Sequence, residues 1–230
     1  MEHLVPVAAI AGYLYYPKDL RIPSTILHSV SILHNLGLLL FSGYTCIALS
    51  QILYEDGIVF QSNYYFQNPA VDRIIFYFYI SKYYELIDTF LLYLNGKTPI
   101  FLQKYHHIGA ILSWHIGYYA RGDLTLFASL MNSFIHTIMY SYYLCCLLQL
   151  NQVRMFKQWI TNLQFCQFFL GLGMLYTYFP PVETPFNYCV LIICQLYNVG
   201  LIILFGNFYI KQYIATPSST QKTPILLSSP

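Results

Sequence analysis

The chain has 230 residues, of which 57% are hydrophobic and 9% charged, against roughly 25% charged in an ordinary soluble domain, so the composition is that of a membrane protein. Eleven basic and nine acidic side chains leave a formal net charge of +2, too small and too dispersed for the electrostatic footprint of a nucleic-acid binder. The six cysteines all fall in apolar stretches, where they read as small buried hydrophobes rather than a disulfide framework or a thiolate site.

A hydrocarbon core of about 30 Å needs about 20 apolar residues per spanning helix, because lipid offers the backbone no hydrogen-bonding partner. In chain order, residues 3–16 form a short apolar segment that runs straight into the Lys18 to Arg21 stretch without a signal-cleavage pattern, so it is expected to direct insertion itself. Six longer runs follow at about 25–53, 73–95, 99–119, 123–149, 157–178 and 187–210, separated by turns such as Asn95-Gly96-Lys97 and Pro180-Pro181. The expected fold is all-α, a polytopic membrane helix bundle of about seven transmembrane helices enclosing a polar chamber. Residues 1–213 would form a single transmembrane domain, and the Ser/Thr/Pro-containing tail, 214–230, a disordered cytosolic extension.

If all seven segments span, Lys18, Arg21, Lys97, Lys104, Arg154, Lys157, Lys211 and Lys222 share one side, Arg73 and Arg121 fall on the other, and Lys82 lies within a span. Basic residues near helix ends are retained in the cytosol. The C-terminus is therefore expected in the cytosol, with the N-terminus and the acidic 55–72 loop on the lumenal side. The 24 tyrosines suit interfacial belts and a bundle packed with amphipathic rings, and by themselves say nothing of catalysis.

Ionisable groups inside a span cost about 2.5–3.5 kcal/mol each even on the lenient insertion scale. In the span 73–95, Lys82, Glu85 and Asp88 recur at i, i+3 and i+6, which keeps them within an arc of about 120° on one face, with Thr89 beside it. They are expected to neutralise one another toward the bundle interior, either as a purely structural network or as one that also lines a site. Gln103, His106 and His107 lie near the basic end of the next span; Asn132, His136, Met139 and Tyr140 share a face of the one after; Thr161, Gln164 and Gln167 repeat the i, i+3, i+6 pattern. One buried polar chamber explains all four stripes. His28, His34 and His115 are read as satisfied interhelical hydrogen bonds. His106, His107 and His136, with Lys, carboxylates and amides at similar depth, give acid, base and nucleophile candidates.

Lys82-Tyr-Tyr-Glu85-Leu-Ile-Asp88-Thr89 resembles the KxxExxDT motif of the ELO family of very-long-chain fatty-acid elongases, and Asn132-Ser-Phe-Ile-His136-Thr-Ile-Met139-Tyr140-Ser-Tyr142-Tyr143 its NxxxHxxMYxYY motif. Thr161-Asn-Leu-Gln164-Phe-Cys-Gln167 is similar to its TxxQxxQ motif. The family's HxxHH box reads QxxHH here, at Gln103 to His107, the variant of elongases acting on polyunsaturated chains. Gln103 cannot act as a base, so only a hydrogen-bonding role of the first box histidine carries over.

The resemblance implies condensation of a long-chain acyl-CoA with malonyl-CoA to a 3-ketoacyl-CoA, CO2 and CoA, with no redox cofactor and no metal. On this reading His106 accepts the acyl group, His136 is the second imidazole, and His107 and Gln103 orient the site. Asn132 and Gln164 donate to the enolate oxygen, while Glu85 or Asp88 orients a histidine and Lys82 balances that charge. Lys82, Gln103, Tyr140, Gln164 and Gln167 would contact substrate, and Lys104, with Lys97, Arg154 and Lys157, would meet the CoA phosphates. The resemblance also implies an endoplasmic-reticulum membrane and the ketoacyl-CoA reductase, dehydratase and enoyl reductase of an elongation cycle as partners, and it allows a homodimer. Two other classes share the topology: a seven-helix receptor or transporter, and a di-iron desaturase or hydroxylase, whose ligands would need more histidine boxes than this chain carries.

Overall fold

The structure is a computed structural model that describes residues 3–15, 22–59, 63–178 and 184–215. These residues form eight α-helices and no strand: α1 (Leu4–Leu14), α2 (Ser24–Asp56), α3 (Pro69–Tyr84), α4 (Leu86–Leu94), α5 (Phe101–Tyr119), α6 (Leu124–Leu147), α7 (Lys157–Tyr178) and α8 (Pro185–Tyr209), the last running into a π-helical turn over Ile210–Ile214. Lys18, Arg21, Lys222 and all of the expected tail beyond Ala215 lie outside the described residues.

The boundaries follow from local chemistry. Asn68 Oδ1 accepts the Ala70 N–H at 2.9 Å and Pro69 opens α3; Thr184 Oγ1 accepts the Asn187 N–H at 3.2 Å and Pro185 opens α8. Each pairs a capping oxygen with a proline whose missing N–H is not needed at the first helical position. α4 ends on Gly96 at φ 68°, with the Gly96 N–H on Tyr93 O and the Lys97 N–H on Leu92 O, both at 2.9 Å. This left-handed closure satisfies two terminal carbonyls at a position where a side chain would be strained.

Ser24–Asp56 and Pro185–Ile214 are long and apolar enough to span a bilayer on their own, with mean hydropathies of 1.7 and 2.2. α3 and α4 are too short for that, at 16 and 9 residues, and α5 and α6 carry buried polar residues, among them His107, Asn132 and His136. The outer faces are the apolar ones: Leu33, Leu40 and Ile47 on α2 and Ile192, Leu196 and Ile203 on α8 are exposed. Polar groups inside and hydrocarbon outside is the arrangement a polytopic membrane bundle requires.

Two elements differ from the sequence expectation. The segment 3–16 is an 11-residue helix, about 16 Å long and so about half the thickness of a hydrocarbon core. It packs against the bundle by one edge, burying Pro6 and Tyr13 and leaving Leu4, Val5, Val7 and Leu14 exposed, with Tyr13 Oη 3.1 Å from Thr89 Oγ1 and His3 Nδ1 2.9 Å from His115 Nε2. The single span expected over 73–95 is α3 and α4, separated by Glu85 alone. There the Asp88 N–H bonds Glu85 O at 3.1 Å, a tightened three-residue step of the kind that interrupts helices at functional positions.

The alternating helices bring the turns at 95–100 and 148–156 to one end of the bundle, with Lys97, Arg154 and Lys157, and the segments 57–59, 63–68 and 120–123 to the other. Among the described residues, the segments of that second end are tied to one another. Asp123 accepts the Tyr64 N–H at 2.8 Å and the Tyr65 N–H at 3.1 Å, and the Tyr65 hydroxyl donates to Gly57 O at 2.6 Å. Leu49, Tyr65, Phe66, Val71, Ile75, Leu126 and Phe127 pack beneath, and Arg121 pairs with Asp72 on the rim.

The two anchors of this end, Asp123 and the Arg121–Asp72 pair, are expected to differ in weight. Asp123→Ala orphans two backbone donors and is expected to cost about 1–3 kcal/mol. Arg121→Ala breaks a pair whose partners are 43% and 33% exposed and should cost less than about 1 kcal/mol. Unfolding midpoints of the two purified variants in one detergent check the order.

Candidate active site

Lys82 is 1% exposed, and its ammonium lies 2.7 Å from Glu85 Oε1, 2.8 Å from Asn132 Oδ1 and 4.0 Å from the centroid of the Phe78 ring. Trp114 supplies a second ring at 4.9 Å and is held by its own Nε1 donating to Ser129 Oγ at 2.9 Å. Two oxygens and a π face thus surround a cation that no water reaches. Because Asn132 Oδ1 is committed to Lys82, the end of that amide left for another acceptor is its NH2.

Asn132 and His136 are one turn apart on α6, so both face the same ion pair; His136 Nδ1 lies 3.5 Å from Glu85 Oε1. One turn further, Tyr140 meets the His136 ring edge-on at 5.5 Å and donates its hydroxyl to Asp88 Oδ2 at 2.8 Å. The other oxygen, Asp88 Oδ1, is 2.9 Å from His34 Nε2. The expected mutual neutralisation of Lys82, Glu85 and Asp88 is therefore divided: Lys82 serves Glu85, and Asp88 takes its partners from α2 and α6. His34, which the sequence leaves as a helix contact, belongs to this second network, whereas His115 bonds Tyr79 Oη at 2.9 Å well away from it.

His106 completes the cluster. Donor atoms of Glu85, His106 and His136 all lie within 4.8 Å of one another. His107, 100° around α5, is buried against Tyr13 and His106, with Nδ1 unpartnered among the described residues. The three-residue set could hold a metal ion only by contracting, since zinc takes its ligands at about 2.0–2.2 Å.

Two cavities share a wall here. One, of about 240 Å³, is lined by Glu85, Asp88, Gln103, His106, His107 and Tyr140 among others, and runs to Lys97, Arg154 and Lys157 at the basic end. The second, of about 170 Å³, lies among α5, α6, α7 and α8 and runs past Gly117, Val190, Leu191 and Leu201 toward the opposite end. His106, Asn132, Gln167 and Phe168 line both. Gln164 lines the first, its amide 3.7 Å from Met139 Sδ. α2 contributes Ser24, His28, Ser31 and Asn35 to the same wall, at helical spacing that the sequence already displays. Two expected substrate contacts are placed elsewhere: Lys82 lies behind the wall, and Lys104 is not among the lining residues. At the mouth, burial holds the Lys97 ammonium below its ordinary range, a condition that an arriving anion would relieve.

The arrangement offers two imidazoles, a carboxylate and an amide donor in a cation-rimmed cavity that shares a wall with an apolar recess. That is the equipment for attack on an activated acyl group whose polar and hydrocarbon parts lie in different compartments.

Comparison with known proteins agrees. Residues 6–221 match the sequence model of the family described as ELO: GNS1/SUR4. The chain is 31% identical over 217 residues to very long chain fatty acid elongase 5 of Xenopus tropicalis, covering 87% of this chain and 70% of the relative. It is 31% identical to fatty acid elongase sre1 of Dictyostelium discoideum, with 86% and 77% covered, and 32% identical to very long chain fatty acid elongase 2 of Rattus norvegicus, with 85% and 72% covered. No solved structure matches.

The buried pair yields a stability prediction. Lys82→Met leaves Glu85 charged and unpaired and is expected to cost about 3–5 kcal/mol, whereas Lys82→Met with Glu85→Gln should recover much of the loss. Thermal unfolding of the two variants in detergent tests this, and equal destabilisation of both would contradict it.

Proposed function

Because the chain belongs to the ELO (GNS1/SUR4) family, we propose that it is a fatty-acid elongase whose two adjoining cavities are the condensation chamber. The single observation that carries this reading is the meeting of His106, His136 and Glu85 in the basic-mouthed cavity, with His106 also in the wall of the adjoining apolar one. An acyl-CoA entering from the mouth sets its phosphates among Lys97, Arg154 and Lys157 and its hydrocarbon among α5, α6, α7 and α8, which brings the thioester to His106.

His106 attacks the thioester carbon: a C–N bond forms, the C–S bond breaks, and the thiolate takes a proton from water at the mouth and leaves as CoA. Malonyl-CoA then loses CO2, and the electrons of the broken C–C bond form an enolate. The NH2 of Asn132 and the amide of Gln164 stabilise its oxygen. The enolate carbon attacks the acyl carbonyl, the C–N bond breaks, and His106 is regenerated beside a 3-ketoacyl-CoA two carbons longer. His136, held by Glu85, moves protons or contacts the reacting carbon; His107, Gln103, Tyr140, Asp88 and Gln167 shape the chamber. The step draws on no redox cofactor and no metal.

The membrane is that of the endoplasmic reticulum, with the basic end and C-terminus cytosolic, the N-terminus lumenal, and residues 1–213 acting as one unit. The ketoacyl-CoA reductase, dehydratase and enoyl reductase that consume the product are its partners, and a second copy of the chain is a further one. Gln103 in the first box position points to polyunsaturated acyl chains.

Purified protein given radiolabelled malonyl-CoA and a panel of acyl-CoAs, with NADPH omitted, should accumulate 3-ketoacyl-CoA. His106→Ala should lower that rate about 10²–10⁴-fold; a wild-type rate in a folded His106→Ala protein would refute the assignment. Arg154→Gln should raise the acyl-CoA KM about tenfold with little change in kcat, because it removes one charge-assisted contact outside the reacting centre.

A further inference from the structure

Tyr197 lies outside every motif, yet it touches His106 twice. Its hydroxyl donates to His106 O at 2.9 Å and sits 3.2 Å from His106 Nδ1. A phenol has one proton and a carbonyl can only accept, so the proton is spent on the carbonyl and the phenol oxygen faces Nδ1 as an acceptor. We infer that Tyr197 is a positioning residue that fixes His106 as its Nδ1–H tautomer and leaves Nε2 as the nitrogen that attacks acyl-CoA. The inference rests on the reading of His106 as the acyl acceptor.

Close packing of α5 and α8 holds the hydroxyl there. A Cβ on Gly109 would fall 2.1 Å from the Tyr197 ring, and a Cβ on Gly200 would fall 2.1 Å from Tyr105 Oη. Each helix thus lays a tyrosine over the other's glycine. The two rings are 5.6 Å apart, and Tyr105 Oη donates to Tyr197 O at 3.3 Å.

The tautomer decides the proton balance. Attack through Nε2 forms an acyl-imidazolium that keeps its Nδ1 proton, and the Tyr197 oxygen stabilises the new positive charge. When the enolate takes the acyl carbon, the C–N electrons return to Nε2 and the imidazole is neutral again, its Nδ1 proton never having moved. The one proton the overall reaction consumes goes from water to the CoA thiolate. A His106 protonated on Nε2 would have no lone pair to offer there and would have to change tautomer first.

The test uses the full chain in detergent, mixed with acyl-CoA alone. Rapid quench follows CoA release, and mass spectrometry maps the acyl group. Tyr197→Phe keeps the ring packing and should slow acylation roughly 10–100-fold, the usual loss when a partner orienting an imidazole is removed. The label should stay on His106, with the KM for malonyl-CoA and the unfolding midpoint close to wild type. Gly109→Ala, which retains the hydroxyl but displaces the ring, should show the same slowing, with no further loss in the double variant. Wild-type acylation by folded Tyr197→Phe, with the label on His106, overturns the tautomer role alone. A label on another residue overturns both it and the assignment of His106.

Discussion

An ammonium and a carboxylate buried together in hydrocarbon lose more in desolvation than their mutual attraction returns unless further partners satisfy their remaining donors and lone pairs. At Lys82 and Glu85 those partners come from other helices: Asn132 and His136 from α6, and the Trp114 ring from α5. α3 and α4 therefore cannot rotate about their axes without orphaning a charge. The same constraint sets α6, because Asn132, His136 and Tyr140 sit one turn apart on its single polar face.

A second carboxylate extends that control. Asp88, beyond the tightened step at Glu85, binds His34 of α2 through one oxygen and Tyr140 of α6 through the other. Tyr140 in turn walls His136. His136 thus stands between two networks whose members cannot leave without exposing a buried polar group to lipid or rings. The cavities occupy what these networks leave open: polar and cation-rimmed toward one end, apolar toward the end where Asp123 ties down Tyr64 and Tyr65.

Much of this was legible in the sequence, for identifiable reasons. Apolar run length located the long helices because lipid leaves the backbone no alternative to helix. The periodicity of Lys82, Glu85 and Asp88, of Asn132, His136 and Tyr140, and of Gln164 and Gln167 identified inward faces because charged residues cannot face hydrocarbon. What escaped depends on relations between helices. Asp88 shares an arc with Lys82 yet pairs with His34, because α2 lies close enough to claim it. Lys104 looks like its basic neighbours but does not face the cavity. Tyr197 is one of 24 tyrosines and carries no pattern; only Gly109 and Gly200, read together, signal the close approach that puts its hydroxyl on His106. α1 was visible as an apolar segment, but its ending after 11 residues follows no signal that hydropathy carries.

The most direct measurement is an experimental structure of the protein with a thioether analogue of a long-chain acyl-CoA, which cannot transfer its chain. The sulfur should lie beside His106 Nε2, the phosphates among Lys97, Arg154 and Lys157, and the hydrocarbon among α5, α6, α7 and α8. A chain lodged elsewhere, or a CoA moiety at the opposite end near Arg121, would contradict the chamber described here.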